Sequence, residues 1–174
     1  IEEDRTKGGV YRSADRGESW KKMSNTVSGG TGPHYYQELY TSPHEFDRLY
    51  LMNVHILTSK DGGKNFEQLT NERNFYYYFD KKHSDHHAMA FKHSDPDYLM
   101  VGTDAGIYES FDDAKNWHYF LNLPLTQFYK VAVNNKEPFY HIFGGTQDNG
   151  SAGGPSATDE EYGITNRVWY KTLM

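Results

Sequence analysis

Five consecutive residues, His83-Ser84-Asp85-His86-His87, gather three imidazoles around one carboxylate. Imidazole titrates closest to neutral pH, and a neighbouring carboxylate orients its ring and stabilises its charged form. Side chains alternate along an extended strand, so His83, Asp85 and His87 would share one face. That set suits a divalent metal, a His–Asp proton-transfer pair, or polar packing at the mouth of a channel. The spacing leaves these open. We expect no metal and no cofactor, with His83, His86 and His87 as ligand contacts and Asp85 as a candidate catalytic carboxylate.

A second group lies at Gly144-Gly145-Thr146-Gln147-Asp148-Asn149-Gly150-Ser151. Gln147 and Asn149 can hydrogen-bond a polar ligand such as a sugar, and Asp148 is the second candidate catalytic carboxylate. A glycine-rich turn whose Asp and Asn satisfy their own backbone has the same composition. The segment aligns with Gly102-Thr103-Asp104-Ala105-Gly106, which adds Asp104 as a ligand contact. Hydrolysis of a glycosidic bond needs two carboxyl groups about 5–9.5 Å apart, so Asp148 with Asp85 or Asp104 is the pair to test. In Phe75-Tyr76-Tyr77-Tyr78-Phe79, Tyr76 and Tyr77 can stack on a sugar or a peptide, or can cover sheet edges.

These groups need a scaffold, and an internal repeat supplies one. Ser13-Ala14-Asp15-Arg16-Gly17-Glu18-Ser19-Trp20, Ser59-Lys60-Asp61-Gly62-Gly63-Lys64-Asn65-Phe66 and Ser110-Phe111-Asp112-Asp113-Ala114-Lys115-Asn116-Trp117 share one pattern, Ser-x-Asp-x-(Gly/Ala)-x-x-(Trp/Phe). Their serines lie 46 and 51 residues apart, the length of a propeller blade. In each turn the carboxylate can accept backbone N–H bonds. Gly17 and Gly63 supply positive φ, while Ala114 predicts a distorted third turn. Trp20, Phe66 and Trp117 are expected to plug the blades. Three equivalent copies point to a structural role for Ser13, Asp15, Ser59, Asp61, Ser110 and Asp112, because a single active site does not repeat its groups.

The fold class is therefore all-β, built of four-stranded antiparallel β-propeller blades with Asp-box turns, as part of a larger propeller. Residues 1–25 read as the C–D hairpin of one blade, 34–70 and 84–121 as blades, and 126–174 as the start of the next. The central blade should run His86 to Phe91, Tyr98 to Gly102, Gly106 to Ser110 and Trp117 to Phe120. The turns mark the A–B/C–D end. The D–A and B–C loops (71–85, 53–55, 103–105 and 146–149) should carry function from the other end. The chain enters blade-like sequence almost at once after Ile1, which reads as the middle of a domain. Two full blades and two partial ones cannot close a ring, so the remainder of a propeller is an expected partner.

Composition excludes several classes. The formal net charge is −6 and no Lys/Arg cluster occurs, so a nucleic-acid partner is not expected. No apolar stretch approaches the ~20 residues of a membrane span, and with no cysteine there is neither a disulfide nor a thiolate metal site.

The blade pattern, the His-Ser-Asp-His-His entry, Gly-Thr-Asp-Ala-Gly-Ile-Tyr-Glu-Ser at 102–110 and the Gly-Gly-Thr-Gln-Asp-Asn-Gly-Ser loop together resemble the bacterial sortilin-like (VPS10-type) BNR-repeat propellers, near the xyloglucanase-type glycosyl hydrolases. The resemblance spans nearly the whole chain. It implies a secreted or periplasmic protein acting as a binding scaffold for a polysaccharide or a peptide, or alternatively a hydrolase of β-glucans. The two aspartates of xyloglucanase-type propellers match no motif in this chain, so no catalytic residue carries over.

Overall fold

The computed structural model describes residues 8–27, 38–69, 85–123, 125–146 and 150–173. The chain divides into two compact units, Ile1–Leu121 and Asn122–Met174. In the first, β1 (Val10–Arg12) and β2 (Lys21–Ser24) form a hairpin. β3 (Leu39–Thr41), β4 (Leu49–Leu51), β5 (Leu57–Ser59) and β6 (Glu67–Gln68) form one four-stranded sheet. β7 (His86–Lys92), β8 (Asp95–Thr103), β9 (Gly106–Ser110) and β10 (His118–Tyr119) form another. Every pairing is antiparallel and every strand neighbours the next in sequence, the up-and-down order of propeller blades.

Strand register builds the core. Across β7, β8 and β9, Met89 stands opposite Val101 and Val101 opposite Tyr108, while Phe91 faces Leu99. Side chains alternate across the sheet, so these residues share one face. They pack with Tyr50, Met52 and Ile56 of the neighbouring sheet into one buried cluster. The Tyr50 and Phe91 rings lie 5.5 Å apart, and burial pushes the Tyr50 phenol up to about 12. β8 begins three residues earlier than expected, because Lys92 already pairs with Asp95 across the tight turn.

Each Ser-x-Asp turn closes by one hydrogen-bond pattern. The serine Oγ accepts the backbone N–H four residues on: Gly17 at 2.7 Å, Gly63 at 2.9 Å and Ala114 at 2.9 Å. The same hydroxyl donates to the aspartate, at 2.7, 2.8 and 2.9 Å in Asp15, Asp61 and Asp112. Each aspartate then accepts from the N–H and side chain of the residue four further on, namely Ser19, Asn65 and Asn116. These donors favour the ionised form. The Ser19 hydroxyl holds Asp15 well below the usual carboxylate range, the Asn65 N–H takes Asp61 down to about 2, and the Asn116 amide lowers Asp112.

Two expectations about these turns fail. The third turn is not distorted, since Asp113 and Ala114 take φ of 56° and 66°, matching Arg16–Gly17 and Gly62–Gly63 in handedness. The Ala114 methyl sits in the core, and that burial offsets the strain of a left-handed alanine. Trp20 does not plug its sheet. It is 64% exposed, with its indole N–H donated to Gly17 O at 3.2 Å, whereas Trp117 packs against the core. Among the described residues the hairpin brings two strands where the other sheets bring four.

Ion pairs join neighbouring sheets at this turn end. Arg12 at the end of β1 meets Asp47 at 2.7 Å. Arg48, with a side chain only 7% exposed, meets Asp113 of the next Ser-x-Asp turn at 2.7 Å and Glu45 at 3.1 Å. Gly63 shows how closely the hairpin approaches, since a Cβ there would lie 2.9 Å from Val10 Cγ1 at φ +90°.

The second unit is a complete four-stranded sheet, where sequence placed two strands. It comprises β11 (Phe128–Val133), β12 (His141–Thr146), β13 (Ser151–Pro155) and β14 (Tyr170–Leu173), with a 3-10 turn at Asn166–Val168. β13 carries Gly153-Gly154 at its centre, a composition that does not read as a strand. The glycines are there because rings press on both faces: Phe143 and Tyr170 over Gly153, Trp169 over Gly154.

Because the turn aspartates are held ionised, their contribution is complete above about pH 4 and lost as pH falls through the folded-state values. The stability gap between the parent chain and Asp61→Asn, read as urea midpoints, should therefore be widest near pH 6 and close by about pH 2. Arg48→Met should cost about 2–4 kcal/mol by leaving Asp113 unpaired, measured by chemical denaturation, whereas Arg12→Met at the more exposed pair should cost less than about 1 kcal/mol.

Candidate functional site

The loop end of the first unit, opposite its turns, is stitched from three segments. Asp85 N–H donates to Val54 O at 3.1 Å, His86 N–H to Asn53 O at 3.2 Å and Asp104 N–H to Asp85 O at 3.3 Å. Thr103 Oγ1 donates to Gly106 O, and the Tyr119 hydroxyl to Ala105 O. Residues 53–55, 85–87 and 103–106 are thus held as one rigid node, the condition for presenting side chains with fixed geometry.

The node pairs His87 with Asp104. Nε2 lies 2.6 Å from Oδ1, the side chains being 35% and 10% exposed. Strand alternation would set Asp85 on the face of His87, and the carboxylate found beside His87 is Asp104. Asp85 adopts φ 62°, and the β7–β8 register shifts between His86 and Ala88, so the two-residue phase is broken. His86, expected as a ligand contact, is enclosed by the node. It is 0% exposed, and its Nδ1 lies 3.0 Å from Asn53 O. Among the described residues no three His, Cys, Asp or Glu groups converge to hold a metal. His83, Tyr76, Tyr77, Gln147, Asp148 and Asn149 lie outside the described residues.

The corresponding end of the second unit opens into a cavity of about 480 Å³. Tyr129 and Leu173 form its apolar walls and Gly145 and Gly150 its glycine surface, with Lys130, Thr146 and Ser151 supplying polar groups. Thr146 closes the β12–β13 connection, its hydroxyl donating to Gly150 O at 2.9 Å and its N–H to the same oxygen. Tyr129 sits at the register shift between Phe128 and Lys130 and is 64% exposed. Sequence reasoning missed Tyr129, Lys130, Ser151 and Leu173, although the first and last residues of strands flanking a B–C loop must line that loop's mouth. Among the described residues lining the cavity none is a carboxylate.

No family model and no curated protein sequence matches the chain. Among solved structures the chain is similar to the GH74 xyloglucanase of Xanthomonas campestris, with TM-score 0.46 and 16% identity over 83% of this chain and 24% of that one. It is also similar to YCF48 bound to D1 peptide, with TM-score 0.40 and 13% identity over 89% of this chain and 58% of that one. The chain therefore spans about a quarter of the first structure's length and less than two thirds of the second's.

The His87–Asp104 contact makes a definite stability prediction. Asp104→Ala should destabilise the first unit by about 1–3 kcal/mol, the cost of removing a partner from a largely buried hydrogen bond. His87→Gln, which retains a donor, should cost less than about 1 kcal/mol. Denaturant midpoints of the two variants give the comparison.

Proposed function

We propose that the chain is a segment of a larger propeller that serves as a binding scaffold, taking a carbohydrate or a peptide at the loop end of its sheets. The cavity bounded by Tyr129 and Leu173 carries this reading. It offers an exposed ring for stacking, hydroxyls for hydrogen bonds and glycines that let a ligand approach the backbone, the mixture found in ligand sites. Hydrolysis is less well supported. Asp104, one of the two described carboxylates at the loop node, already engages His87 at 2.6 Å. Among the described residues, three four-stranded sheets and a hairpin fall short of the common propeller rings, which supports the larger assembly. The Asp-box, sortilin-like assignment rests on the sequence resemblance, and a secreted or periplasmic location is proposed on the same ground.

Binding to a panel of neutral oligosaccharides and unstructured peptides, measured by calorimetry, tests the reading. Tyr129→Ala should weaken the preferred ligand about tenfold, equivalent to one lost stacking contact. Reducing-sugar release from β-glucans that disappears in Asp148→Asn or Asp85→Asn, with folding retained, would instead make the protein a glycosidase.

A further inference from the structure

The second Ser-x-Asp turn differs from the other two in the residue that follows its aspartate. That residue is Arg16 in the first turn, Gly62 in the second and Asp113 in the third, at φ of 61°, 71° and 56°. Packing explains the glycine. A Cβ on Gly62 would lie 2.5 Å from the Arg12 guanidinium and 3.1 Å from Asp47 Oδ1, the two halves of the ion pair that ties the hairpin to the next sheet. That pair leaves room for glycine alone, and so places the dipeptide Asp61-Gly62 in the turn.

A backbone nitrogen can attack the side-chain carbonyl of the residue before it, and glycine permits this best because it has no Cβ in the way and its backbone turns freely. The Gly62 nitrogen would bond to Asp61 Cγ and lose its proton, while a carboxyl oxygen leaves as water, giving a cyclic imide. Water then opens the imide at either carbonyl. Opening at the side-chain carbonyl restores aspartate. Opening at the backbone carbonyl leaves the chain running through the side chain, as isoaspartate. The sequence consumes no reagent but water.

The folded turn opposes the first step from both sides. The Gly62 N–H donates to Asp47 O at 2.9 Å. The Asp61 carboxylate accepts from Ser59 Oγ at 2.8 Å, from the Lys64 and Asn65 N–H groups at 3.0 Å each, and from Asn65 Nδ2 at 2.7 Å. These donors, the Asn65 N–H foremost, keep the carboxyl ionised, and an ionised carboxylate is a poor electrophile. Isoaspartate would lengthen the backbone and shorten the side chain, so the bonds to Ser59 and Asn65 would lose their geometry. We infer that Asp61-Gly62 is a latent site of isoaspartate formation, guarded by the hydrogen bonds of its turn and released when that turn opens, and that conversion there unlocks the β5–β6 hairpin.

The test incubates the full chain, and an end-blocked peptide of residues 59–66, in the same mildly acidic buffer. Isoaspartate at position 61 is followed by peptide mapping with electron-transfer fragmentation. The peptide should convert at least about tenfold faster than the folded chain, which reacts only through its opened fraction. Urea below the unfolding transition should raise the chain's rate towards the peptide's. Ser59→Ala, which removes the closing hydroxyl, should raise it about tenfold. In the fully unfolded chain Asp61 should convert faster than Asp15 and Asp112, whose next residues carry side chains. The converted chain, separated by ion exchange, should unfold at lower urea than the parent. Conversion of the folded chain at the peptide's rate would overturn the inference, as would a rate that neither urea nor Ser59→Ala raises. Equal conversion at all three aspartates in the unfolded chain would remove the role of Gly62, and an unchanged urea midpoint after conversion would refute the unlocking of the hairpin.

Discussion

The serine hydroxyl at the head of each turn is the atom the blades depend on. It accepts two backbone N–H groups and donates to an aspartate, so a single oxygen fixes the turn and orients the carboxylate. The carboxylate then gathers the donors at the far side of the turn. Ser59 and Ser110 are 1% exposed, in surroundings where an unpaired polar group is costly. A two-strand hairpin is marginal alone. Closing it with side-chain bonds lets strands of two to five residues serve as the outer half of a sheet.

From that closure the first unit acquires three levels along the strands. Ion pairs from Arg12 and Arg48 join adjacent sheets at the turn end. Apolar side chains from Tyr50 to Tyr108 fill the middle. Backbone bonds among residues 53–55, 85–87 and 103–106 close the loop end. The two ends differ in character because their residues differ. One is a lattice of arginines and carboxylates beside exposed rings, the other a rigid node presenting His87 and Asp104.

Much of the fold was legible because its signals are local. Ser-x-Asp turns at blade spacing mark hairpins whatever surrounds them, and β7 and β9 fall on their expected strands because their apolar residues alternate. The last two strands were not legible. β13 is Ser-Ala-Gly-Gly-Pro, with no apolar alternation, and its place in the sheet depends on Phe143, Trp169 and Tyr170 reaching it from elsewhere in the chain. The Ala114 turn misled for a related reason, since the burial that offsets its strain is not visible from the turn itself.

The candidate site divides in the same way. The amino-acid sequence alone determined the all-β class, the blade repeat, the turn chemistry and the end of the sheets where His87 and Asp104 stand, because each follows from residue type and spacing. Only the tertiary structure decided that His87 pairs with Asp104, that His86 is buried against Asn53, and that Trp20 is exposed where Trp117 is packed. A positive φ at Asp85 and the packing of separate strands settle those outcomes, and neither is written in the spacing of a motif.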